Sequence, residues 1–103
     1  MKLLLILCIE EHEKEVRKLL RNQKVPMYSE VDIQGFKNEN GDADLSNWFA
    51  HDKVQRFSRL FFSIQTEQNV SAVLGAVKNY NEAHEGIKNN PLHAYKLNVE
   101  ETV

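Results

Sequence analysis

One cysteine in 103 residues leaves no basis for a disulfide framework, a CxxC redox pair or a cysteine-rich metal site. Charge of one sign is also lacking. Thirteen Lys+Arg against fifteen Asp+Glu give a net charge of −2. No Lys/Arg cluster stands out, which argues against nucleic-acid binding through phosphates. No apolar run approaches the roughly 18–20 residues that cross a bilayer, so membrane insertion is not expected. The longest run, residues 3–9, meets Glu10 and Glu11 at once, too soon for an export signal. Leu7 stands before Cys8, where a lipid-attachment site wants a small residue. There are no repeats and no low-complexity segment. A single domain over residues 1–103, intracellular and cytoplasmic, is the expectation.

Two strand–helix units are present. Residues 2–9 read as a buried strand, because the apolar run is continuous. Residues 11–22 change to helical spacing, with Val16, Leu19 and Leu20 on one face, acids in the first turn and bases in the last. Val25-Pro26 closes the unit. From 27 to 36 the period is two, with Met27, Val31 and Ile33 on one side. Residues 37–55 lose periodicity, and 38–42 form a polar, turn-rich stretch. A third strand is expected over 56–65. Ser58, Leu60, Phe62 and Ile64 face one way there and Phe57 and Phe61 the other, the latter pair contributing to the face that helices leave open.

Thr66 suits an N-cap. Val70, Val73, Leu74 and Val77 follow with i, i+3, i+4, i+7 spacing, and Gly75 among them suggests close packing on the sheet. Residues 81–91 read as irregular and 93–99 as a last strand. The sum is an α+β, ferredoxin-like βαββαβ domain: a four-stranded antiparallel sheet, order 4-1-3-2, with two helices on one face. Its other face is partly apolar, and self-association would cover it.

The segment Val25-Pro-Met-Tyr-Ser-Glu-Val-Asp-Ile-Gln-Gly-Phe-Lys37 resembles the second strand of P-II (GlnB-like) signalling proteins, which ends in Gly-Phe before the T-loop. Strand three, the second helix and the ending Tyr95-Lys-Leu-Asn-Val-Glu-Glu-Thr-Val103 are also similar to that family. The resemblance implies a homotrimer with sheets facing inward and ligands in clefts between subunits. Gly35, Phe36 and Lys37 at the T-loop base, and Gly86 and Lys88 at the B-loop position, would then contact the ligand.

The departures from the family are as informative. The family's B-loop has the form T-G-x-x-G-D-G-K, whereas residues 81–91 hold Gly86 alone. Convergent backbone N–H groups need more glycine than that to cradle a phosphate. A carboxy-terminal basic segment is missing as well, so ATP or ADP binding in the family's manner is not expected. The T-loop is short and lacks the usual modification tyrosine. The sequence is most similar to divergent members found beside heavy-metal efflux systems, which implies a transporter or efflux component as partner.

His51 lies in the shortened T-loop, and His84 and His93 flank the B-loop position. Three imidazoles meeting across a subunit cleft would suit Zn²⁺, Cu²⁺ or Ni²⁺. Equally, they are solvated surface histidines, since no pair has i, i+4 spacing. Cys8 and His12 form a second conceivable pair, against the reading of Cys8 as a small core residue. Trp48 and Phe49 either anchor a partner protein or fold back to cap the sheet or the trimer cleft. A P-loop, a nucleophile elbow and an acylphosphatase-type loop after the first strand are all missing, so catalysis is not expected. Direct metal tolerance, as in CutA proteins of the same fold, is the alternative.

Overall fold

The computed structural model describes residues 1–36, 57–84 and 90–103. The elements are β1 (Lys2–Cys8), a 3-10 turn (Glu10–His12) running into α1 (Glu13–Asn22), β2 (Ser29–Asp32), β3 (Arg59–Gln65), α2 (Glu67–Ala83) and β4 (Leu92–Asn98). All strand pairs are antiparallel and the sheet order is β2-β3-β1-β4. The expected order is therefore found.

The core lies between the sheet and the helices. Leu4, Ile6 and Cys8 of β1, Phe61 of β3 and Leu92 of β4 pack with Val16, Leu19 and Leu20 of α1 and Val70, Val73 and Val77 of α2. The helical spacing thus selects the buried faces correctly. Each such side chain removed from water contributes about 1.5–3 kcal/mol. No helix among the described residues is long and apolar enough to cross a membrane.

The assignment of strand faces is corrected. Phe61 is fully buried beneath the helices, so it belongs to the covered side. Cross-strand partners share a face. The register then places Val31, Leu60, Leu7 and His93 in one row of the opposite face, with Phe62, Leu5 and Tyr95 in the next and Ile64, Leu3 and Leu97 in the third. No helix of the described residues covers this side. Phe62 is 36% exposed, Val31 42%, Leu97 43% and Ile64 51%. Alternation in β3 is clear from sequence, but which half meets the helices depends on register.

Element ends also differ from expectation. β2 is only four residues long. Beyond it Ile33 N–H still donates to Ser58 O (3.1 Å), while before it the Ser63 hydroxyl donates to Met27 O (2.6 Å) in place of a ladder bond. Pro26 has no N–H to extend the pairing. The first helix begins as a 3-10 turn, because neither Ile9 nor His12 provides a side-chain cap. α2 runs on to Ala83, whereas irregular chain is expected from 81. Its N-cap is Thr66, whose Oγ1 accepts from Asn69 N–H at 3.1 Å.

Two further details concern backbone geometry. α1 ends with Lys24 N–H bonded to Arg21 O and Val25 N–H bonded to Leu20 O, the paired bonds of a Schellman motif. Lys24 is left-handed, with φ 60°, where glycine avoids a cost of about 1 kcal/mol. Gly75, in contrast, is exposed, and a Cβ built there meets nothing within 4 Å. It makes no close approach to the sheet.

Candidate functional site

Strand register gathers the informative residues at one end of the sheet. Asp32, Arg59, Cys8 and Leu92 form a single row across all four strands. Interval 33–58 leaves and returns at this edge, its ends held by the Ile33–Ser58 bond. The chain also enters α1 and leaves α2 for β4 here. The split βαβ topology thus brings the two ends of interval 33–58, the end of α2, the start of β4 and the β1–α1 turn together, although they are far apart in sequence.

Three side-chain clusters occupy that end. In the first, the buried His12 shares a hydrogen bond between Nδ1 and the Tyr80 hydroxyl, at 2.5 Å. His84 stacks on the Tyr80 ring with centroids 4.2 Å apart and meets His12 edge-on at 5.7 Å. Its Nδ1 lies 2.8 Å from Tyr80 O. A carbonyl only accepts, so Nδ1–H donates, and in the neutral ring Nε2 keeps its lone pair for a proton or metal. Burial first, and His84 second, push His12 below the ordinary imidazole range, while Glu11 and Glu15 pull the other way. Burial raises Tyr80, so its hydroxyl keeps its proton.

The second cluster is Phe57 against His93, with ring centroids 4.9 Å apart and an interplanar angle of 67°. Burial lowers the His93 pKa. The third is ionic. Arg59 binds Glu13 of α1 at 2.8 Å and Asp32 of β2 at 2.9 Å, and Arg17 binds Glu30 at 2.5 Å. These pairs strap the short β2 to α1. Cys8 lies beneath them, its thiol pushed up to about 12, chiefly by burial and then by Glu13. Cys8 is fully buried within the core cluster, which suits the reading of it as a small core residue.

Of the sequence-derived site residues, Gly35 is half-buried, Phe36 is 75% exposed, and both follow β2 at this end of the sheet. His84 and His93 have different ring partners within the chain, as described above. Lys37, Trp48, Phe49, His51, Gly86 and Lys88 lie outside the described residues. Among those described, no group of three His, Cys, Asp or Glu side chains is placed to hold a metal. The sequence offers no sign of Tyr80 as the link between two histidines. Nor does it reveal the Ser58 hydroxyl, buried with no partner among the described residues. Asn81 is equally hidden: its amide pairs with both backbone groups of Leu92, at 2.9 and 3.2 Å, and fixes the start of β4.

The architecture is that of the P-II-like, ferredoxin-like fold. Its solved examples include CPII, a nitrogen regulatory PII-like protein from Thiomonas intermedia K12. Bound to ADP, AMP and bicarbonate, CPII aligns with a TM-score of 0.58 at 16% identity, over 99% of this chain and 94% of that one. The apo form aligns with a TM-score of 0.59 at 15% identity, over 92% and 84%. At such identity the likeness is one of fold. No family model matches the chain, and no curated protein matches it.

Proposed function

We propose that this protein is a non-enzymatic P-II-like regulator. It assembles as a homotrimer with helix-free sheet faces turned inward, and clefts between subunits take a small ligand or a transition-metal ion. Segment 37–55, through Trp48 and Phe49, passes the state to a partner such as a transporter or efflux component. The observation that carries this reading is the apolar helix-free face: Leu3, Leu5, Leu60, Phe62, Ile64 and Leu97 share it by register. A contiguous apolar sheet face is costly in water and marks an interface.

In this reading Gly35, Phe36 and Lys37 of one subunit face Gly86 and Lys88 of its neighbour across the cleft. His51, His84 and His93 supply the metal set. His84 and His93 contact different rings within one chain, and in this reading an ion joining them draws on two subunits. The His84 Nε2 lone pair supports the metal reading. CPII is described bound to ADP, AMP and bicarbonate. With Gly86 as the lone glycine of residues 81–91, this chain does not invite the same phosphate cradle, and nucleotide is not part of the proposal.

The test combines sedimentation equilibrium with calorimetric titration of Zn²⁺, Cu²⁺, Ni²⁺, ADP and AMP. A trimer that takes up metal, and loses that uptake when His51, His84 and His93 are replaced together, supports the reading. A stable monomer removes the cleft and the regulator with it. Tight ADP binding that persists in Arg21→Gln overturns the interpretation of residues 81–91.

A further inference from the structure

The last turn of α1 and the chain entering β2 flank an open surface groove of about 570 Å³, lined by Arg17, Arg21, Lys24, Val25, Pro26 and Tyr28. Three of these six are cations and none is an acid. Arg17 is engaged with Glu30. Arg21 and Lys24 have no acidic partner among the described residues. The remaining wall is apolar and firm. The Tyr28 ring lies 6.0 Å from that of the buried Phe61 and packs against the core.

Lys24 supplies a second, independent observation. It occupies the left-handed position that closes α1, with φ 60°. Folding alone would favour glycine there, and a side chain kept in a strained backbone state points to a role outside folding. That side chain is a cation at the groove rim. Two uncompensated positive charges match one dianion, and a guanidinium fork beside an ammonium suits phosphate oxygens. The volume exceeds what a bare anion fills and falls in the range of small-molecule sites.

We propose that this groove binds a small phosphate ester carrying a flat ring, the phosphate held by Arg21 and Lys24 and the ring laid on Tyr28 and Pro26. It sits on the helix side at the β2 edge. The apolar face lies on the other side of the sheet, so this site and the trimeric regulator stand or fall separately.

Phenyl phosphate titrated into ¹⁵N-labelled protein, followed by amide chemical shifts, tests the proposal, with inorganic phosphate and phenol alongside. Saturable shifts confined to Arg21, Lys24, Val25 and Tyr28 are expected, with inorganic phosphate binding more weakly and phenol not at all. Replacing one charged donor costs about tenfold in affinity or more, so Arg21→Gln and Lys24→Gly each weaken binding by at least that factor. Lys24→Gly also relieves the left-handed strain, so it raises the melting temperature while lowering affinity; loss of binding cannot then be loss of fold. Absence of saturation, equal affinity for inorganic phosphate, or variants that bind like the parent would overturn the proposal.

Discussion

His12 and Tyr80, 68 positions apart in sequence, meet at 2.5 Å between imidazole Nδ1 and phenol oxygen. The contact ties the turn that enters α1 to the last part of α2, and His84 caps it by stacking on the same ring. Two helices that touch mainly through aliphatic side chains thereby gain a polar clasp at the end of the sheet where the candidate site lies.

That clasp makes stability pH-dependent. His12 binds its proton less readily folded than unfolded, because burial and His84 lower its pKa. Its contribution is therefore complete above the unfolded value of about 6.5 and is lost as pH falls toward the folded one. His93, lowered by burial, acts in the same direction. Thermal unfolding followed at pH 7.5, 6 and 5 should show a falling midpoint, with a shallower fall in His12→Phe. An unchanged slope in that variant would assign the effect to other groups.

Asn81 is expected to matter more than its position at a helix end suggests. Its amide satisfies both backbone groups of Leu92, a residue only 1% exposed. Asn81→Ala leaves that N–H and C=O unpaired, at a cost of about 1–3 kcal/mol. Urea denaturation should report this loss, and Asn81→Asp, which retains an acceptor for the Leu92 N–H, should fall between.

Gly75→Ala goes the opposite way. The position is helical, and an added methyl meets no atom within 4 Å. Stability should rise by about 1 kcal/mol, read as a higher melting temperature. A lower one would show that something beyond the described residues packs on the glycine.

Phe62 lies between Leu5 and Ser29 in the middle row of the helix-free face. A charge introduced there is tolerated by a lone subunit and not by an apolar interface. Phe62→Glu should give a folded monomer by light scattering, with the far-ultraviolet spectrum of the parent. An assembly of unchanged mass would place the interface elsewhere.

Much of the fold is legible in the chain. Val16, Leu19 and Leu20, then Val70, Val73 and Val77, mark two helix faces by spacing alone, and Thr66 marks the second helix start. The strand order follows from handedness once βαββαβ is recognised. What period-two patterning leaves open is direction. Phe61 and Phe62 are adjacent, both aromatic, and only the register with Ile6 and Leu5 decides which one the helices bury. The site is less legible because its contacts are long-range. His84 is visible as a histidine near the B-loop position and Tyr80 stands one turn before it, but His12 comes from a remote part of the pattern. Asn81 reads as the start of a loop because its helix-ending role depends on Leu92 across the turn. Gly75 reads as a packing device, and that too was a question about neighbours that composition cannot supply.

The Ile33–Ser58 bond has one more implication. It closes the neck of interval 33–58 by main-chain contact and pins the β2–β3 register where that interval leaves the sheet. Lengthening a closed interval costs only slowly growing entropy. The scaffold can therefore accept grafts at this point, a reporter or an alternative recognition segment, while its four-stranded frame keeps the same thread count and weave.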